Sequence, residues 1–215
     1  MGMGVFVLGA SLVMGAAPPA TPESLRKMAS EYYRWREQSY PVASSSQGLH
    51  TWDDRLADFS TQAVAARRKR VADLLGQVRA MPADGWGKDD RIDWLLFKAQ
   101  LETVEFFDRV MDPEATNPQI YVNECSNAIF SLLKKEYAPP RTRALAATDR
   151  LRAIPALLEQ AKANLTRPVG LYARLAIDAA RAIDPLFNDS LNTLAAGLQP
   201  GERDDHVKAR AAALA

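Results

Sequence analysis

"DDRIDWLLFKAQLETVEFFDRVM", Asp89 to Met111, sets the structural period of the whole chain. Ile92, Leu95, Leu96, Ala99, Phe106 and Val110 recur three, four and seven residues apart, which places them on one apolar stripe of an α-helix. Asp89 and Asp90 fall in the first turn, where carboxylates favour the helix dipole. Asp112-Pro113 stops the pattern, because proline removes a backbone donor and restricts the residue before it.

The same period extends outward in both directions. Thr21-Pro22-Glu23-Ser24 supplies a capping residue and a first-turn proline for an aromatic-rich helix to about Ser39, ended by Pro41 and Ser44 to Ser46. Tyr40 to Phe59 is the longest stretch without a period, and loops of that length are usually functional or packed by their own side chains. Ser60 caps a helix bearing Val64, Val71, Leu74, Leu75 and Val78. Helices follow over Tyr121 to Glu136, from Pro139-Pro140 to about Leu165, and from Thr166 to Leu198 with an interruption at Asp184-Pro185. Pro155 predicts a kink or break near Ile154. No strand-period segment stands out, so the fold class is all-α: about seven helices packed as antiparallel neighbours, with no significant sheet.

Composition narrows function mostly by exclusion. Across 215 residues, 27 Lys and Arg meet 26 Asp and Glu, so there is no basic surplus for a nucleic-acid partner. Val5 to Met14 is an apolar run followed by Gly15, Ala16 and Ala17, so residues 1–20 read as a signal peptide and the protein as exported, periplasmic or extracellular. That run is too short for a stable membrane span, and no cysteine follows it to carry a lipid. Residues 21–215 read as a single helical domain, the N-terminal part of a longer protein, since the final segment stops in mid-helix without a cap.

The best chemical candidate is "GLHTWDDRLADFS", Gly48 to Ser60. His50 with Asp53 or Asp54 could share a metal, or form a base and its orienting carboxylate. A catalytic metal needs about three protein ligands, and only His206 adds a second imidazole. The better-supported reading is an ordered loop whose carboxylates accept backbone N–H bonds, with Arg55 as counter-charge. Arg67 to Arg70, "RRKR", fan around roughly 300° of a helix and read as a solvated surface. Cys125, the lone cysteine, reads as buried and inert. No His-Glu-x-x-His motif, phosphate loop or serine elbow occurs.

"YYRWREQSYPVASSSQGLH", "TWDDRLADFS", "DDRIDWLLFKAQLETVEF", "NPQIYVNECSNAIFSLLKKEYAPP" and "RLRAIPALLEQAKANLTRP" follow one another in an order and spacing of their own. Together they resemble the N-terminal half of the bacterial family catalogued as domain of unknown function 885, from about Ala29 to Leu198. The most telling pieces are Gly48-x-His50 with Asp53 to Leu56, Asp89-Asp90-Arg91, Asn117-Pro118 and Ile154-Pro155. The resemblance implies an exported helical protein related to zinc metallopeptidases, whose His-Glu-x-x-His motif binds zinc beyond the length present here. It therefore carries no catalytic or zinc-binding residue onto this chain, which needs no cofactor of its own. His50, Asp53, Asp54 and Arg55 become cleft contacts or loop anchors. The expected partners are a peptide-like substrate or the remaining C-terminal part, and such a portion exposes apolar helix faces. The competing expectation is a self-contained helical binding or scaffold module of the cell envelope.

Overall fold

Thr21 opens the first helix as a reciprocal cap. Its hydroxyl accepts from the Ser24 backbone N–H at 3.2 Å, and the Ser24 hydroxyl accepts from the Thr21 N–H at 3.0 Å. The computed structural model describes residues 20–215, so the segment read as a signal peptide, residues 1–20, lies outside the described residues except for Ala20. Helix α1 (Pro22–Ser39) is followed without a loop by α2 (Pro41–Ser46). Pro41 and the serines thus start a short helix where the sequence suggested irregular chain. Pro41 takes a first-turn position that suits proline, and the hydroxyl of Ser44 donates to the carbonyl of Glu37 at 2.8 Å.

Ser60 caps α3 (Thr61–Arg79), accepting from the Ala63 N–H at 3.2 Å. Helix α4 (Lys88–Phe106) carries Asp89 and Asp90 in its first turn and runs into a π-helical turn, Phe107–Met111. Asp112 then takes the left-handed conformation, φ 43°, and reverses the chain before Pro113. The chain continues through α5 (Pro113–Thr116), α6 (Gln119–Leu133), α7 (Pro140–Asn164) and α8 (Gly170–Arg181). A second π-helical turn, Leu186–Ser190, leads to α9 (Leu191–Ala195) and α10 (Pro200–Leu214). Seven of these helices (α1, α3, α4, α6, α7, α8 and α10) have twelve residues or more, and no strand occurs among the described residues. The all-α expectation with about seven helices holds.

Two apolar cores form. Leu25, Tyr32, Val71, Leu75, Val78, Phe97 and Leu101 join α1, α3 and α4. A larger core surrounds α7, where Leu151, Ile154 and Leu157 meet Ile129, Leu132, Phe187 and Leu191. Helix α7 runs unbroken over its 25 residues despite Pro155. Burial of Leu151, Ile154 and Leu157 on both sides of the proline stabilises that turn enough to offset the missing hydrogen bond.

The stripe on α4 does not face either core. Trp94, Phe97, Leu101 and Val104, also spaced at the helical period, pack inward instead. Ile92, Leu95, Leu96, Phe106 and Val110 are between 43% and 65% exposed. Helix α8 likewise presents Leu171, Leu175 and Ile177 to the outside and buries only Ala176. Large apolar residues gathered in this way on a folded surface mark a contact surface.

Candidate functional site

Three arginines are buried among the described residues, Arg67, Arg143 and Arg150. Arg143 only ties down carbonyls at the end of α6, and Arg150 sits over the loop that the sequence singled out. Gly48, at φ 93°, lets the chain turn back so that the Leu49 N–H reaches the Ser44 carbonyl at 2.9 Å. The next turn brings the His50 Nδ1 to 2.9 Å from Asp53 Oδ2. Asp53 is only 8% exposed and also accepts hydrogen bonds from the Ser45 hydroxyl, at 2.5 Å, and from the Tyr137 hydroxyl. The His50 and Tyr137 rings stack with centroids 3.3 Å apart and planes within 3°. Burial, then the neighbouring Asp53, push the Tyr137 phenol well above its ordinary range, so it stays a donor.

Arg150, from α7, closes this cluster from beneath and is wholly buried. Its Nη2 donates to the Ser45 hydroxyl at 2.6 Å and lies 3.8 Å from Asp53 Oδ1. Its Nη1 donates to the Ala128 carbonyl at 2.7 Å and the Ser131 hydroxyl at 2.9 Å, and its Nε donates to the Arg55 carbonyl at 3.1 Å. Burial lowers the Arg150 pKa and the Asp53 charge opposes that shift.

The sequence candidates therefore separate. His50 and Asp53 are brought together, whereas Asp54 is exposed and, among the described residues, pairs only with the exposed Arg55, at 3.5 Å. The counter-charge to the buried carboxylate is Arg150; Arg55 contributes only its backbone carbonyl. Asp53 bonds to side chains, and Asp58 is the carboxylate that takes a backbone N–H, from Ser60 at 2.8 Å. Arg150 was invisible in the sequence because it acts across 105 residues on Ser45.

A histidine oriented by a carboxylate can hold and pass a proton. No hydroxyl or thiol bonds to that imidazole among the described residues, since Ser45 donates to Asp53. Cys125 is buried, and burial pushes its thiol up to about 12. His206 is buried on α10 with its Nδ1 2.7 Å from the Thr148 hydroxyl, remote from solvent and from any second ligand set. Among the described residues no three His, Cys, Asp or Glu side chains are grouped to hold a metal ion. The residues present do not fit the zinc that the family resemblance implies.

Arg67 is also buried, only 8% exposed, which corrects the reading of "RRKR" as a solvated face. Its Nη1 donates to the Asp58 carbonyl at 2.5 Å, and its guanidinium lies over the Tyr40 and Phe59 rings at 5.3 and 5.7 Å. Its Nη2 is buried with no hydrogen-bond partner. Arg68 instead pairs with Asp112 at 2.7 Å and Glu114 at 2.6 Å, Lys69 pairs with Asp73 at 2.6 Å, and Arg70 lies 4.7 Å over Trp35. The signal was present in the sequence: residues fanned around most of a helix must send one inward. Arg67 lines a cavity of about 290 Å³ between α1, α2, α3 and the end of α4.

These features define an all-helical scaffold with a side-chain-bonded loop, an arginine-lined cavity and an outward apolar stripe. The chain belongs to the bacterial proteins of unknown function designated DUF885, whose sequence profile matches residues 41–215. No curated protein matches the chain. A solved structure described as "a putative lipoprotein of unknown function from Shewanella oneidensis" is similar, with a TM-score of 0.77 at 17% identity. The likeness shows a shared fold and covers 88% of this chain but 35% of that one. The chain thus spans about a third of that protein's length.

Proposed function

We propose that this chain is the helical, non-catalytic portion of an exported cell-envelope protein, forming one wall of a cleft completed by further polypeptide of the same protein. The observation that carries this is the outward stripe of α4: its strongest apolar periodicity is left uncovered while both cores close without it. The similar structure, described as a putative lipoprotein, is about two and a half times as long, which supplies the extra chain such faces need and supports an envelope location. No helix among the described residues is long and apolar enough to cross a membrane. By family resemblance the completed protein is peptidase-like, with zinc and the reacting groups held outside this chain. The loop of His50, Asp53, Asp54 and Arg55 then serves as an anchor, with Asp53 and the Arg55 carbonyl fixed to α7 through Arg150, His50 held by Asp53 and Tyr137, and Asp54 facing outward.

Expressing the longest product of the source reading frame beside residues 21–215 tests the proposal. The longer product should cleave unstructured peptides and lose that activity to a chelator, while the shorter chain is inert. A reading frame that stops at Ala215, or a longer product without chelator-sensitive cleavage, overturns it. The self-contained binding module remains the second reading, and the cavity at Arg67 favours it.

A further inference from the structure

The cavity beside Arg67 carries two unpartnered polar groups of opposite charge. Arg67 presents a buried Nη2 without a partner, and leaving a charged donor unbonded costs more than making its bond gains. Asp108, from the π-helical turn after α4, also lines the cavity and makes no hydrogen bond or ion pair among the described residues. Its carboxyl is half-buried, and burial, then the nearby Glu114, hold its pKa above the ordinary value against the pull of Arg68 and Arg67. Tyr32, Trp35, Val71 and Val104 give the walls an aromatic and aliphatic surface. Arg36 and Glu37 complete the charged lining with one charge of each sign, so the lining is balanced overall.

Each alternative ligand leaves a group unsatisfied. A simple anion would face Asp108 and Glu37, and a simple cation would leave the Arg67 Nη2 unbonded. At about 290 Å³ the cavity lies at the small end of ligand pockets, which run from about 300 to 1,000 Å³, so it suits one small molecule and not a chain. We propose that this cavity binds a free amino acid with an apolar side chain, its carboxylate on Arg67, its ammonium on Asp108, and its side chain among Tyr32, Trp35, Val71 and Val104. Arg67 and Asp108 lie near enough for Arg67 to act on the Asp108 carboxyl, so two opposite charge-assisted bonds beside one apolar wall recognise the paired charges on a single carbon and discriminate against molecules lacking either charge. The site is independent of the apolar stripe on α4, and it stands or falls without any peptidase activity.

The test is titration calorimetry on residues 21–215 with L-phenylalanine and L-leucine, beside phenethylamine and hydrocinnamate, which each lack one charged end. At least one amino acid should bind, and each one-ended probe should bind at least about tenfold more weakly. Arg67→Met should remove the preference for phenylalanine over phenethylamine, and Asp108→Asn the preference over hydrocinnamate. Circular dichroism checks that both variants are folded. Failure of both amino acids to bind, equal binding of a one-ended probe, or unchanged selectivity in either folded variant overturns the proposal.

Discussion

Arg150 and Arg67 are both buried arginines on long helices, yet they sit in opposite situations. Arg150 has bonds from all three guanidinium nitrogens and a carboxylate beside it. Arg67 has one carbonyl, two aromatic faces and an orphan N–H beside a cavity. The difference extends to their surroundings. Around α7 the chain is closed, with the apolar side chains packed and Arg150, Ser45 and Asp53 bonded to one another, the His206 Nε2 being the one buried polar atom there without a partner among the described residues. Around α1, α3 and α4 it is open, with a cavity on one side and an uncovered stripe on the other. A saturated buried charge is a structural fixture, whereas an unsaturated one is available to a ligand.

Replacing each arginine by the same residue breaks this comparison most sharply. Arg150→Met should cost about 3–5 kcal/mol in urea unfolding, because Asp53, Ser45 and the carbonyls it binds lose their partner inside the core. Asp53→Ala should cost about 1–3 kcal/mol, since His50 and Tyr137 lose their acceptor and Arg150 its counter-charge, while Ser45 can turn to the Pro41 carbonyl. His206 tests the closed region through pH. Burial, then Arg210, hold its imidazole below the ordinary value of 6.5, so the unfolded chain takes up a proton before the folded chain does. That stability is present above pH 6.5 and is lost as pH falls from 6.5 through the lower folded value. Unfolding wild type and His206→Gln at a series of pH values should show that slope only in the wild type. Arg67→Met, by contrast, should change stability by less than about 1 kcal/mol, because it removes an unpaired buried donor along with one good bond.

Local chemistry was legible in the sequence and long-range chemistry was not. The caps at Thr21 and Ser60 and the acidic start of α4 were readable because each acts within three residues of itself. The α4 segment carries two apolar stripes, and periodicity alone does not say which one turns inward; Phe97 and Leu101 did, and Leu96 and Phe106 did not. Helix α2 was hidden by serines that favour loops until the Ser44 hydroxyl finds a carbonyl two turns back and the Ser45 hydroxyl finds Asp53. His50 and Asp53 could be paired by eye, being three residues apart, but the Arg150 and Tyr137 that enclose Asp53 arrive from elsewhere in the chain.

The outward stripe of α4 is the centre of this account, and dye binding tests it most directly. Residues 21–215 should bind the hydrophobic dye ANS while unfolding cooperatively in urea. Leu96→Gln with Phe106→Gln should remove most of the dye signal and shift stability by no more than about 0.5 kcal/mol, as for exposed positions. Arg67→Met serves as the control for dye entering the cavity and should leave most of the signal in place. A dye-silent wild type, or a double variant that binds dye as well as the wild type, would contradict the claim that this face awaits further polypeptide.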